Sequence, residues 1–374
     1  MNEKTTLLSL WKELHELAEV SFEEVKTTEY LINYFKKAGF NPVKFKNIPG
    51  FYVELGEGKP IVGLRADMDA LMQNVGGEMK ANHSCGHDAH MTIITGVMNR
   101  LKKEESQFKG TVRAIFQPGE ELGNGSIEVV KEGVADDLDY LFGVHLRPHN
   151  EMPYPNCAPG IQHGAGTFMK GEILGEDHHG ARQNEGVNAI EVGSAIVQHL
   201  KQIYTRPTIP ASIKMTNFKA GSENFNIIPG EASFGLDLRA QENDVMDEIK
   251  AKLSHIINSL ATLYELKIKT EIIDEVPAAI INEKAEKHLI KAITEEIGED
   301  HLRPRLLTPG SDDFHFYTLL RPHIKATMLA LGADVRPGLH DPDMTFNKIA
   351  ITNGVNILTN VVRNICNVSE EVNA

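Results

Sequence analysis

Apolar side chains recur along this chain in two patterns. Residues 4–18, 188–204, 244–265, 282–297 and 347–365 read as helices with one apolar stripe. Shorter runs, "GFYVELG", "KPIVGLRADMD", "GTVRAIFQP", "LDYLFGVHL" and "ATMLALG", read as strands, and "KPIVGLRADMD" is a continuous apolar run, as expected of a buried strand of an α/β sheet. Another helix follows "SFEE". Ser21 is placed to cap it and Glu24 to close a capping box, with Tyr30, Leu31, Tyr34 and Phe35 in the stripe and Gly39 as the stop. "HMTIITGVMNRLKK" predicts a helix and "IEVVKEGV" a shorter one.

The middle of the chain has a different rhythm. A strand at 167–175, a helix at 188–204, strands at 211–221 and 230–240, a helix at 244–265 and a strand at 266–274 give the order β-α-β-β-α-β. That is the split unit of a ferredoxin-like sandwich. The fold class expected is therefore α/β: a discontinuous domain, residues 1–165 and 278–374, with a mixed sheet flanked by helices. An α+β domain, residues 166–277, is inserted into it.

The chain length of 374 residues agrees with two domains, since one core rarely grows so large. No apolar run approaches the roughly 18 residues of a membrane span. The first twenty residues carry scattered charges and no signal-peptide pattern, so a cytoplasmic location is expected, with no membrane partner. Three widely spaced cysteines, an odd number, cannot form a disulfide framework. Cys157 and Cys366 read as small packing residues. The net charge of −14 disfavours nucleic acid as a partner. It also means that a carboxylate substrate would need a local cation to hold it.

Candidate chemistry collects where α/β sheets place it, just beyond the carboxyl ends of strands. "RADMDAL" puts Asp67 and Asp69 there, "FQPGEELGNG" Glu120 and Glu121, "GVHLRP" His145, and "GLHDPDM" His340 with Asp341. "HSCGHDAH", residues 83–90, precedes a helix and adds Cys85, His87 and three neighbours. Each cluster alone is more economically a turn, a cap or a solvated charge, and "HSCGHDAH" alone is evenly balanced. Together they assemble thiolate, imidazole and carboxylate donors on one edge, a mixture suited to zinc, manganese, cobalt or nickel. A strand or turn points neighbouring carboxylates apart, so one of the pair Glu120-Glu121 can ligate metal while the other faces a water as general base.

These stretches, with "ELHELAEVSFEE", "NFNIIPGEASFGLDLR" and "GSDDF", resemble the metal-dependent amidohydrolases of the M20 peptidase clan, and the resemblance runs essentially end to end. The branch is that of hippurate hydrolases, N-acetyl-amino-acid deacetylases, auxin-conjugate hydrolases and aminobenzoyl-glutamate hydrolases. It implies a catalytic α/β domain with two divalent metal ions and an inserted lid that usually dimerises. The ligands implied are Cys85, His87, Glu121, His145 and His340, with Glu120 as general base. Asp69 matches the acidic residue that supports a metal ligand, which in sister branches stands where this chain has Asp67. His179 matches the lid histidine that stabilises the oxyanion. Its surroundings, "HHGARQN", depart from the family's "GGHAAxP", which leaves His178 as the other candidate. Asn226 and Arg239 match lid positions that hold the substrate, and Asp312 replaces a more usual glutamate. His83, His90, Asp88, His163 and His178 have no ligand role by this match. His90 is expected one turn inside the helix, and His83 as a hydrogen-bonded neighbour of the ligands.

The expected reaction is hydrolysis of N-acyl amino acids by a metal-activated water. Three readings compete with it: a cysteine hydrolase using Cys85 with His87 or His90, a non-catalytic small-molecule binding relative, and a dipeptidase or aminopeptidase of the same clan.

Overall fold

The computed structural model describes residues 3–105 and 109–366. The chain divides into two compact units. One comprises Met1–Gln162, Ile280–Leu307 and Asp313–Ala374, the other His163–Ala279 and Thr308–Asp312. The outermost residues of the sequence-assigned catalytic segments, 1–2 and 367–374, lie outside the described residues.

The first unit is built on a seven-stranded mixed sheet. Its spatial order is Val43–Lys44, Phe51–Glu57, Gly110–Gln117, Ile61–Asp67, Tyr140–Pro148, Lys325–Val335 and Cys157–Ala158. The strands Gly110–Gln117, Ile61–Asp67, Tyr140–Pro148 and Lys325–Val335 run parallel. Phe51–Glu57 and Cys157–Ala158 run antiparallel on either side of them. Every residue of Gly110–Gln117 is buried, as is all of Ile61–Asp67 except its first residue. That explains runs with no polar alternation: both faces are covered, so both must be apolar. Helices Glu3–Glu16, His87–Lys102 and Ile349–Cys366 bury Leu7, Leu10, Ile93, Val97, Val355 and Leu358 in this core. Cys157 and Cys366 are buried there, as packing residues would be.

The second unit is a four-stranded antiparallel sheet ordered Ala211–Ala220, Ala232–Ala240, Ala165–Leu174, Lys267–Val276. Ala189–Leu200 and Asn243–Leu263 pack on it. Strand Ala232–Ala240 alternates strictly between buried and less buried positions, the mark of a sheet with one covered face. Phe234, Leu236 and Leu238 meet Val192, Ile196, Ile249 and Leu253 in its core. The α/β class with an inserted α+β unit is the observed architecture.

Three local expectations are corrected. Helix Val25–Lys37 begins after Glu24, and Ser21 and Glu24 do not form a capping box. Glu19 caps it instead, accepting from Lys26 N at 3.2 Å and Thr27 N at 2.8 Å. Strand Tyr140–Pro148 continues past His145, which therefore sits within the strand and not at its end. A hairpin, Leu71–Val75 with Glu78–Asn82, precedes "HSCGHDAH"; its residues are exposed or half-buried and present no apolar run to announce strands. Among the described residues no helix is long and apolar enough to cross a membrane.

Candidate metal centre

Four parallel strands deliver their carboxyl ends to one edge, where His145 lies within its strand and the other donors follow from the turns beside it. Ile61–Asp67 ends at Asp67, with Asp69 two residues on. Gly110–Gln117 passes through Pro118 into Gly119, whose positive φ of 69° turns the chain into the short 3-10 segment Glu120–Leu122. Gly86 does the same before helix His87–Lys102, with φ of 88°, so Cys85 and His87 flank a left-handed corner. His340 also has a positive φ, 64°, uncommon for a residue with a side chain. Its N–H donates to Ser84 O at 2.9 Å, which ties the His340 loop to the "HSCGH" turn.

These turns bring together all five residues of the expected ligand set. Donor atoms of Cys85, His87 and His145 lie within 4.8 Å of one another, as do those of Cys85, Glu121 and His340, and those of His87, Glu120 and Glu121. Cys85 Sγ is 3.6 Å from His145 Nε2, and His340 Nε2 is 3.4 Å from Glu121 Oε1. His87 Nε2 lies 3.8 Å from Glu120 Oε2 and 3.9 Å from Glu121 Oε1.

The imidazoles are oriented from behind. His87 Nδ1 donates to Asp69 O at 2.9 Å, with Asp69 Oδ1 at 3.1 Å, which leaves Nε2 as the lone-pair side. His145 Nδ1 donates to Leu146 O at 2.7 Å, with the same result. Asp69 Oδ2 also accepts from Ser21 Oγ at 2.7 Å and from Glu121 N at 2.9 Å, so one carboxylate steadies both an imidazole and the glutamate turn.

Beneath them runs a buried ionic network. Arg65 donates to Asp67 Oδ2 at 2.5 Å, Asp313 Oδ1 at 2.7 Å and Gln117 Oε1 at 3.0 Å. Asp67 also accepts from His90 Nδ1 at 2.7 Å, and His90 Nε2 accepts from Leu146 N at 3.0 Å. Both nitrogens of His90 are thus committed, one turn inside the helix. Burial alone would raise the Asp67 pKa, but His87, Arg65 and His90 together hold it well below the usual carboxylate range. Sequence reasoning gave Arg65, Asp313 and Gln117 no role. The one available signal was a charge inside the apolar run "IVGLRAD", which demands a buried partner.

His83 departs from expectation. It is fully buried and neither ring nitrogen has a hydrogen-bond partner, so it is not a hydrogen-bonded neighbour of the ligands. Burial pushes its pKa down to about 4, which keeps it neutral.

The donor set fits divalent metal. His87 Nε2 and Glu121 Oε1 are buried without a hydrogen-bond partner, an arrangement that costs free energy unless something else satisfies them. Burial would lower the His87 pKa, yet Asp67, Cys85 and Asp69 raise it well above normal, so the surroundings favour positive charge there. Soft sulfur, imidazole nitrogen and carboxylate oxygen within a few ångströms match a transition-metal environment.

The second unit carries the remaining expected residues. His178 and His179 pair with Ile228 and Ile227, and Gly180 N donates to Asn226 O at 2.6 Å, so His179 and Asn226 are neighbours. His179 Nδ1 accepts from Ala181 N at 3.1 Å. The His178 ring packs so closely on Gly186 that a Cβ there would lie 1.7 Å from it. Arg239 donates to Asp237 Oδ1 at 2.7 Å, with its guanidinium 4.8 Å from the Phe168 ring centroid.

Comparison with known proteins decides the family. Residues 63–364 match the model of peptidase family M20/M25/M40. The chain belongs to that family. It is a metallo-hydrolase acting on amide bonds. An IAA-amino acid hydrolase ILR1-like 4 of Arabidopsis thaliana is 28% identical over 83% of this chain and 74% of its own length. An N-acetyl-L-cysteine deacetylase of Bacillus subtilis is 26% identical over 98% of this chain and 89% of its own. In fold, the Bacillus subtilis YXEP protein, a dinuclear metal binding peptidase of the M20 family, superposes with a TM-score of 0.80 at 23% identity. It covers 96% of this chain and 97% of its own. A protein from methicillin-resistant Staphylococcus aureus reaches 0.89 at 23% identity over 97% of each chain.

Proposed function

We propose that the M20 hydrolase described here cleaves the amide bond of N-acyl amino acids, with two divalent ions held by Cys85, His87, Glu121, His145 and His340. One observation carries this reading: a carboxylate, Glu120, adjoins a convergent set of thiol, imidazole and carboxylate donors, of which His87 Nε2 and Glu121 Oε1 are buried without a hydrogen-bond partner. Zinc, manganese, cobalt and nickel all suit the set. Divalent metal, when bound, supplies Lewis acidity and lowers the pKa of a coordinated water.

The chain's own groups do the rest. Glu120 takes the proton of the attacking water and returns it to the leaving amine. Asp69 fixes the His87 tautomer and the Glu121 backbone together. In the inserted unit, residues 166–277 as read from the sequence, His179 stabilises the oxyanion. The Ala181 N–H on His179 Nδ1 leaves Nε2 to carry the donated proton, whereas His178 is packed against Gly186; both observations favour His179. Arg239 and Asn226 hold the substrate carboxylate, the local cation that an acidic chain requires. The inserted unit acts as a lid and pairs two copies into a homodimer.

The cysteine-hydrolase alternative has little support. Burial and Glu121 push the Cys85 thiol well above its usual pKa, and His90 has no nitrogen left to serve as base. Purified protein stripped with chelator and reloaded with each metal, assayed on N-acetyl, N-benzoyl and indolyl-acyl amino acids beside dipeptides, tests the proposal. Metal-restored cleavage of N-acyl amino acids is expected. Cleavage that survives chelation but not alkylation, or turnover of dipeptides alone, overturns it.

A further inference from the structure

Among the buried carboxyls outside the donor set is that of Glu24. Glu24 is fully buried, and its Oε1 accepts from Gly119 N at 2.8 Å. Its Oε2 has no hydrogen-bond partner. Two residues beyond Gly119, Glu121 N donates to Asp69 Oδ2. Glu120 therefore stands between two backbone N–H groups, each held by a buried carboxyl from a distant part of the chain.

A single short segment organises both contacts. Ser21 Oγ donates to Asp69 Oδ2, and Ala70 N donates to Glu19 O at 2.8 Å, so residues 19–24 run along the Asp69 strand end. Phe22, with a positive φ of 63°, presses its ring on Gly119 so closely that a Cβ there would lie 2.6 Å from it. The turn beyond is equally tight: a Cβ on Gly125 would meet Pro118 O at 1.8 Å. A buried carboxyl is a costly filler, and an apolar residue would serve packing better. Helix capping does not explain it either, because Glu19 caps Val25–Lys37.

We propose that the Ser21–Glu24 segment is a positioning element of the active centre: Glu24 on the Gly119 N–H, with Ser21 on Asp69, sets the aim of Glu120 and Glu121. This rests on the reading of Glu120 as base and Glu121 as ligand. Glu24 touches no reacting atom and acts through the turn. Burial and the Asp69 charge raise its pKa to about 8, so the neutral amide of glutamine is a close stand-in.

The test compares wild type, Glu24→Leu, Glu24→Gln and Ser21→Ala as full chains loaded with cobalt. The cobalt absorption spectrum reports ligation, and turnover is read on N-acetyl-L-methionine. Glu24→Leu should change the spectrum and lower kcat about 100-fold, with KM within about twofold, as expected for a reacting group misplaced by about an ångström. Glu24→Gln should restore spectrum and kcat. Ser21→Ala should weaken cobalt binding about tenfold in a chelator competition, as removal of an outer hydrogen bond to a ligand's support does. If Glu24→Leu does not fold, Ser21→Ala and Glu24→Gln carry the test. A wild-type spectrum and kcat in Glu24→Leu, glutamine as damaging as leucine, or unchanged cobalt affinity in Ser21→Ala overturns the inference. If wild type turns over no N-acyl amino acid, the proposed function falls, while the spectra and cobalt affinities still judge the positioning role.

Discussion

The two units treat polar side chains in opposite ways. In the first, Arg65, Asp67, Asp69, His87, His90 and Asp313 are all essentially buried at the ends of strands that are otherwise apolar. In the second, the core is apolar, and His179, Asn226 and Arg239 lie at or near the surface. The difference follows from coverage. Strands buried on both faces leave their ends as the place where polar groups meet in a low-dielectric setting, and there each must be paired from several directions. A sheet with one covered face keeps its polar residues on the solvated side, where water can satisfy them.

The sharpest way to break this comparison is Glu120→Gln. Turnover should fall by about 10²–10⁴-fold while metal content, read by elemental analysis, stays at the wild-type level. Loss of metal with turnover retained would reverse the roles given to Glu120 and Glu121. Next comes the buried network. Arg65→Met removes the guanidinium that pairs with both Asp67 and Asp313, and should destabilise the fold by about 3–5 kcal/mol in denaturant melts. A loss below about 1 kcal/mol would mean that the carboxylates are satisfied without it.

Glu24→Gln probes the same interior through pH. A carboxyl whose folded pKa of about 8 exceeds the ordinary 4.5 is protonated in the folded state and ionised in the unfolded state between those values. Its contribution is fully present below about 4.5 and is lost as pH rises through about 8. Melts of wild type should therefore weaken relative to Glu24→Gln across that window, by about 2–4 kcal/mol at the alkaline end. A constant gap would show that Glu24 is ionised when folded. The smallest effect belongs to the second unit. Arg239→Ala should raise KM about tenfold with kcat and metal content little changed, as expected for loss of uniform binding. An equal fall in kcat would move Arg239 into the transition-state machinery.

Much of this was legible in the residues. Period and order of apolar runs were enough for the α/β sheet and the inserted β-α-β-β-α-β unit, because burial on two faces or one leaves different patterns. Position after strands and before a helix gave the clusters on one edge, and the family resemblance singled out Cys85, His87, Glu121, His145 and His340 among them. The "SFEE" reading failed for an instructive reason. A serine and a glutamate three apart fit a capping box, but Asp69 and Gly119 offered Ser21 and Glu24 buried partners, while Glu19 was free to cap from the preceding turn. His90 was expected inside the helix and His83 as the hydrogen-bonded neighbour of the ligands. Only packing made one a doubly bonded support and the other a neutral, unpartnered ring.

The sequence by itself thus determined most of the elements, their order and the inventory of donors, since these depend on local period and side-chain chemistry. Tertiary structure alone decided which carboxylates are paid back by Arg65, which imidazole nitrogen faces the donors, and that residues 19–24 bracket Glu120. Those outcomes depend on contacts between segments up to about 250 residues apart, and hydrogen-bond partners at that range leave no periodic trace in the chain.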